Sequence, residues 1–363
     1  MRKQFSAKVT GNETVDTLTK AFSKLVDMTL DGQNSTEEYK EANALFNKQF
    51  MEFCMSGTPL VFTSLEDIKS PTVYKNPMFK ANFNTILSQA IVPVIPTVIA
   101  SGYDQLFEVF QVGFGDNAKF TVASNELYVV NDIAEGIMRG GQATIYNQEY
   151  SVQARRRQIA IFVDWYQVAA GVHDWGDFGR RIGASYAAAI QGIVTKSMTN
   201  VIADAAKHGI SGYVANGFND TNWLTLARNV KLANGGAPVY ALGTNIALGK
   251  ILPQNAAFRF GPNSDLVTSI ALPAYKDVPL IELGNALLPN TINGTPQAIL
   301  KDDFVYMIAM GSHKPCKVVI EGQEAGIEED PLFKADHTYG MIVDMRVGAD
   351  CVVGSKFGYL KLA

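Results

Sequence analysis

The period of apolar positions changes several times along the chain, and each change marks an element. Tyr186, Ile190, Ile193, Val194, Met198, Val201, Ile202 and Ala205 recur at steps of three and four, which places them on one face of a helix. The spacing predicts a long helix over Asp177 to Lys207, with Asp177 capping its first turn and Lys207, His208 and Gly209 closing its end. Ala187 to Ala189 and Gly192 predict that a sheet or another subunit approaches that helix closely. Two earlier stretches share the period: Val15, Leu18, Ala21, Phe22, Leu25 and Val26 in residues 13–30, and Tyr39, Ala42, Leu45, Phe46, Phe50 and Phe53 in residues 36–55. They predict an antiparallel helical pair, turned at Asp31 to Asn34.

From Gly57 to Ala100 the pattern breaks into short apolar pieces carrying Pro59, Pro71, Pro77, Pro93 and Pro96, which predicts an extended arm lying over a surface. Gly115 to Ser151 predicts a hairpin, with strands near Lys119 to Val130 and Gln142 to Ala154 and a tip at Asn131, Asp132, Gly136, Gly140 and Gly141. Its outer part is polar on both faces, and an isolated two-stranded ribbon is marginal in water, so its expected partner is a second copy of the chain. Ile159 to Val163 reads as a continuous buried strand.

After Gly209 a second, mixed α+β unit begins. Helices are expected at Asn222 to Leu232 and Asn245 to Leu252, and strands at Ala237 to Leu242, Leu280 to Leu283, Ala298 to Leu300, Phe304 to Met310 and Lys317 to Glu321. Thr338 to Leu362 alternates, with a turn expected at Gly348 to Asp350, and its strands are expected to return to the sheet beneath the long helix.

With 363 residues and 47% apolar content the chain can bury a sizeable core in one to three domains. Its start lacks the apolar run of a leader, and Ala90 to Ala100 is too short and proline-bearing to span a bilayer, so a soluble chain made in the cytosol is expected. Cys54, Cys316 and Cys351 lie far apart in sequence with no CxxC, which predicts buried thiols rather than disulfides or zinc. A net charge of −4 argues against a surface devoted to gripping nucleic acid, leaving room only for weak, non-specific contact.

Catalytic motifs are absent. GTNIALGK at Gly243 to Lys250 has one residue too many before Gly249 and Ile251 where a phosphate loop needs Ser or Thr, so it reads as a helix after a strand. His173, His208, His313 and His337 are scattered, as are the acidic groups Glu328, Glu329, Asp330 and Asp302, Asp303; surface or core roles fit them better than a metal or catalytic site. No cofactor is implied. Arg155, Arg156 and Arg157 form the sharpest charge feature; strand alternation puts Arg155 and Arg157 opposite Arg156, and acidic groups of a neighbouring subunit are the expected contact, ahead of nucleic-acid phosphates.

The order of parts, with VDWYQVAAGVHDWGDFGRRIGASYAAAIQ leading from a buried strand into the long helix, resembles the major capsid protein of tailed double-stranded DNA bacteriophages. The resemblance covers about residues 90–363 by element order rather than by a short motif. It implies the α+β Hong Kong 97-type capsid fold: an N-terminal helical arm at 1–95, the start of the peripheral domain at 96–114, an extended hairpin loop at 115–155, and the peripheral domain with its spine helix at 156–211. The axial domain is then 212–322, and 323–363 return to the peripheral domain.

The resemblance also implies a non-enzymatic subunit of an icosahedral virion, assembled in the host cytoplasm as pentamers and hexamers. A portal protein and a scaffold, maturation protease or decoration protein are its implied partners, without a membrane. Asn131, Asp132, Glu135, Arg139, Gly140, Gly141 and the three arginines are the implied intersubunit contacts. Some members crosslink the loop through a lysine, but this chain has none between Lys119 and Lys196, so noncovalent stabilisation is expected. The helical pair is open to two readings, a retained wall element or an in-built scaffold removed by a protease. An encapsulin-type compartment shell and, from another class, a cytosolic α+β enzyme remain the alternatives.

Overall fold

The computed structural model describes residues 13–59, 73, 76–103, 106–113, 115, 118–122, 148–164, 167, 173–251, 274–289, 291, 294–311, 314–329, 338–351 and 356–362. The helices are α1 (Glu13–Leu30), α2 (Glu37–Met55), α3 (Pro77–Tyr103), α4 (Trp175–Ala203), α5 (Asp220–Ala233) and α6 (Asn245–Gly249). The strands are β1 (Phe107–Val112), β2 (Ala118–Val122), β3 (Gln148–Val152), β4 (Arg155–Asp164), β5 (Val214–Asn216) and β6 (Val239–Gly243), followed by β7 (Ala274–Tyr275), β8 (Val278–Glu282), β9 (Phe304–Ala309), β10 (Cys316–Glu329), β11 (Thr338–Cys351) and β12 (Gly358–Lys361).

The helical pair forms where the period places it. Thr36 caps α2 by accepting the Tyr39 N–H at 3.2 Å, and Gly32, at φ +74°, reverses the chain between the helices. The expected extended arm is corrected over its second half: Pro77 opens the 27-residue helix α3, which runs through Pro93 and Pro96. Proline is at home in a helix's first turn but costs about 3 kcal/mol in its interior. Phe79, Phe83, Ile86, Leu87 and Ile91 repeat at helical spacing and are buried against the other helices, and burying one such side chain stabilises by about 1.5–3 kcal/mol. Burial outweighs the two prolines.

The long helix α4 spans 29 residues, roughly 44 Å at ~1.5 Å per residue. Its cap is Asp174, which accepts the Asp177 N–H at 3.0 Å, and not Asp177 itself. Burial opposes ionisation of Asp177, yet the guanidinium groups of Arg180 and Arg181 hold its carboxyl below the ordinary range. The helix ends at Ala203 rather than Lys207, followed by turns as far as Gly209 at φ +64°. Of the small residues expected at a close approach, Ala187 and Ala188 are buried while space is open around Gly192, and the tightest contact is at Gly179, where a Cβ would lie 2.7 Å from Val26 Cγ2.

One four-stranded sheet has the order β1-β10-β11-β4, with β1 parallel to β10 and the other pairs antiparallel. Strand alternation sends Cys316, Val318, Ile320, Val343, Met345 and Val347 into a single core shared with α1 to α4. Four expectations are corrected here. Lys317 to Glu321 belongs to this first sheet rather than to the second unit, and Gly348 to Asp350 is continuous strand rather than a turn. Strand β4 is a sheet edge covered by helix on one face, so Ile159 is half-buried and Ala160 exposed instead of continuously buried. Of the terminal strands only β11 joins this sheet; β12 pairs with β5 and β9 in the second.

The second sheet runs β5-β12-β9-β6-β8-β7. Strand β9 is buried on both faces: Phe304, Tyr306 and Ile308 enter the first core, while Val305, Met307 and Ala309 meet Trp223, Leu226 and Val230 of α5. Gln191 of α4 fastens this unit, donating to the Gly284 carbonyl at 3.1 Å and accepting the Ala286 N–H at 2.8 Å. The expected strand at Ala298 to Leu300 is only a bridge between Ala298 and Leu287.

Two outcomes test the packing at the head of α4. Asn47, 1% exposed, accepts the indole N–H of fully buried Trp175 at 2.6 Å. Asn47→Ala therefore lowers stability by about 1–3 kcal/mol in denaturant unfolding, the cost of an orphaned buried donor. Tyr39 is pushed up from 10.0 to about 12, first by burial and then by its hydrogen bond to Asp174. A phenol whose folded value exceeds its unfolded one contributes stability that is complete below pH 10.0 and is lost as pH rises through about 12. Tyr39→Phe flattens that part of the alkaline loss, read from melting temperature against pH.

Candidate functional site at the root of the ribbon

Strands β2 and β3 pair antiparallel, Ala118 opposite Val152 and Phe120 opposite Tyr150, and form the base of the expected hairpin. They cross the face of the first sheet that α3 and α4 leave open. Ala118, Val152 and Val319 are buried together there with Val112 and Phe120 packed against them, and the Phe120 ring meets Phe110 edge-on at 4.8 Å between centroids. This apolar contact is small beside the helical core.

Polar groups fix the ribbon's exit. The Gly115 N–H donates to Glu321 at 2.6 Å, with Gly115 itself at φ +83°. The same Glu321 oxygen accepts from Arg346 at 3.2 Å, so one largely buried carboxylate joins the turn ahead of β2 to β10 and β11. On the returning side, a Cβ on Gly348 would overlap the Gln153 carbonyl, so β11 passes the ribbon at a separation only glycine allows.

Glu321 is one rung of a row of ion pairs across this face. Glu108 pairs with Lys317 at 2.6 Å between β1 and β10, Glu321 with Arg346 between β10 and β11, and Asp344 with Arg156 between β11 and β4. Each rung joins adjacent strands. Arg156 and Arg346 are exposed, whereas Lys317 and Glu321 are buried and Glu108 half-buried, so solvent screens the rung at β4 most and the rung at β1 least. Sequence reasoning missed the row because its members come from strands far apart along the chain; alternation within β10 was the only signal.

The arginine run divides as alternation predicts. Arg156 stands opposite Arg346 and turns to Asp344 of its own chain, while Arg155 and Arg157 lie on the helix side opposite Val347 and Met345. Arg155 is exposed; Arg157 is half-buried, its Nε without a partner among the described residues. Asn131, Asp132, Glu135, Arg139, Gly140 and Gly141 lie outside the described residues.

Other candidates remain separate. His173 packs edge-on to Trp175 and Phe178, and His208 is half-buried after α4, while His313 and His337 lie outside the described residues. Gly243 to Lys250 is the end of β6 followed by α6, whose cap Thr244 also donates to Asp302 at 2.5 Å. The three cysteines are buried free thiols. Cys316 and Cys351, far apart in sequence, face each other across β10 and β11; their hydrogen bond and their burial push the Cys316 thiol well above its usual value. Among the described residues no cluster of His, Cys, Asp and Glu suits a metal ion, and no helix is long and apolar enough to cross a membrane.

Several solved capsid structures are similar to this chain at low identity. The capsid of the cyanophage P-SCSP1u shares 12% identity at a TM-score of 0.47, over 72% of this chain and 87% of that one. A chain of Microbacterium phage Oxtober96 shares 12% at a TM-score of 0.45, over 72% and 92%, and the mature capsid of bacteriophage PhiM1 shares 10% at 0.44, over 71% and 86%. These likenesses fall below the level at which a shared fold follows, and no curated protein matches by sequence. Placement rests instead on a family model that matches residues 12–361, nearly the whole length, and the chain belongs to that family, described as SPbeta prophage-derived putative capsid protein YonB.

Proposed function

We propose that this chain is the repeating subunit of a Hong Kong 97-type icosahedral phage head enclosing double-stranded DNA, in which copies grip one another noncovalently through the ribbon. Membership of a capsid protein family supports the structural role. The observation that carries the mechanism is the ribbon's root: the body devotes a buried carboxylate, an ion pair and a glycine contact to aiming two strands that bury little surface themselves. Such investment serves an element whose remaining partner is another copy. Repetition of modest contacts by symmetry then makes the loss of one subunit difficult.

In this reading residues 131–141, with Asn131, Asp132, Glu135, Arg139, Gly140 and Gly141, meet the neighbouring subunit, together with exposed Arg155. Pentamers and hexamers close the shell, the second unit surrounding their axes, and a portal or decoration protein completes it. No catalytic step is assigned to the chain, and its net charge of −4 suits a wall that releases its DNA.

Electron microscopy of the purified chain tests the reading: closed megadalton particles are expected, and a stable monomer or dimer at high concentration refutes it. Deleting residues 131–141 leaves the melting temperature unchanged but abolishes closed particles; normal particles from that deletion count against the ribbon contact. Glu321→Gln keeps the side chain's shape while removing the charge that holds Gly115 and Arg346. It yields a folded subunit with fewer or misshapen particles, scored by sedimentation, whereas wild-type yield refutes the aiming role.

A further inference from the structure

The N-terminal helical pair is built into the subunit at the point where α4 begins. A stripe on α2 spaced by four residues, Tyr39, Asn43 and Asn47, faces the head of the long helix. Tyr39 donates its hydroxyl to the cap Asp174, and Asn43 and Asn47 donate to the His173 carbonyl at 3.1 and 3.3 Å. Asn43 also accepts the Trp175 backbone N–H at 3.4 Å, and Asn47 accepts its indole. A helix start has backbone donors without intrahelical partners, and its cap must be held in place to serve them. Here α2 holds the cap.

Packing gives an independent indication. Trp175 is fully buried, meeting Phe50 at 5.1 Å and Phe46 at 6.1 Å between ring centroids. Gly176 has no room for a side chain: a Cβ there would overlap the Tyr39 hydroxyl and lie 2.6 Å from Thr29 Oγ1 and 2.9 Å from the Leu25 carbonyl. Gly179 is similarly closed by Val26 and Phe22 of α1. Two glycines in the first turns of a helix cost about 1 kcal/mol each relative to alanine, and at both positions it is α1 and α2 that exclude anything larger. The long helix is shaped to receive these two helices.

We propose that α1 and α2 are a permanent cap on the head of α4, retained in the assembled subunit and not a segment detached on maturation. The capping role stands on this packing alone; retention in particles rests on the shell reading above. Residues 31–36, the exposed turn between the two helices, offer a place to test it. A site-specific protease sequence inserted between Gln33 and Asn34 of the full chain allows the turn to be cut after folding. The cut pieces are expected to co-elute in equal amounts on size exclusion with an unchanged melting temperature, and release of the α1 piece overturns the proposal.

A second measurement uses the unaltered chain, so that an insertion that disturbs folding leaves the question decidable. Intact mass of the subunit in purified particles is expected to include residues 13–55, and particles made of a chain starting beyond Met55 overturn it. Failure to form particles at all sinks the shell reading, while the cut chain still decides the cap.

Discussion

The head of α4 lacks hydrogen-bond partners within its own helix, as every helix start does, and its cap together with α2 supplies them. Asp174 accepts one N–H directly, and α2 brings Tyr39, Asn43 and Asn47 to hold the residues before the helix. Because Trp175 carries the first turn into a cluster of phenylalanines from α2 and α3, the same contact that caps the helix also seats it in the core. From there α4 runs over the first sheet and binds the second through Gln191. One strut, fixed at its head, orients both sheets.

The two faces of the first sheet have opposite chemistry. Towards the helices it is apolar apart from Arg155 and Arg157 on its edge strand and carries the thiols of Cys316 and Cys351; away from them it carries a row of ion pairs and receives the base of the ribbon. A salt-bridged face contributes little to stability where it is exposed, but it prescribes register, since each rung joins a particular residue to one on the neighbouring strand. The same rungs fix the strands that the base of the ribbon lies against.

Much of the fold was legible in the residues themselves. Leu18, Phe22 and Leu25, or Tyr186, Ile190 and Val194, announce their helices because an amphipathic face is a local, periodic property. The ribbon's base was legible from its alternation and glycines. Helix α3 was not, because Pro93 and Pro96 argue locally against a helix and only burial beside α1, α2 and α4 reverses the balance. The misread turn at Gly348 has the same kind of cause: that glycine answers to the Gln153 backbone, far away in sequence.

By itself the sequence determined where most helices and strands lie and that the chain holds a large core, both consequences of the order of apolar and polar residues. Tertiary structure alone decided that β10 belongs to the first sheet and β12 to the second, that Arg156 turns to Asp344, and that Glu321 accepts the Gly115 N–H. These are meetings between residues separated by tens or hundreds of positions, and local pattern carries no information about which distant partner a side chain will find.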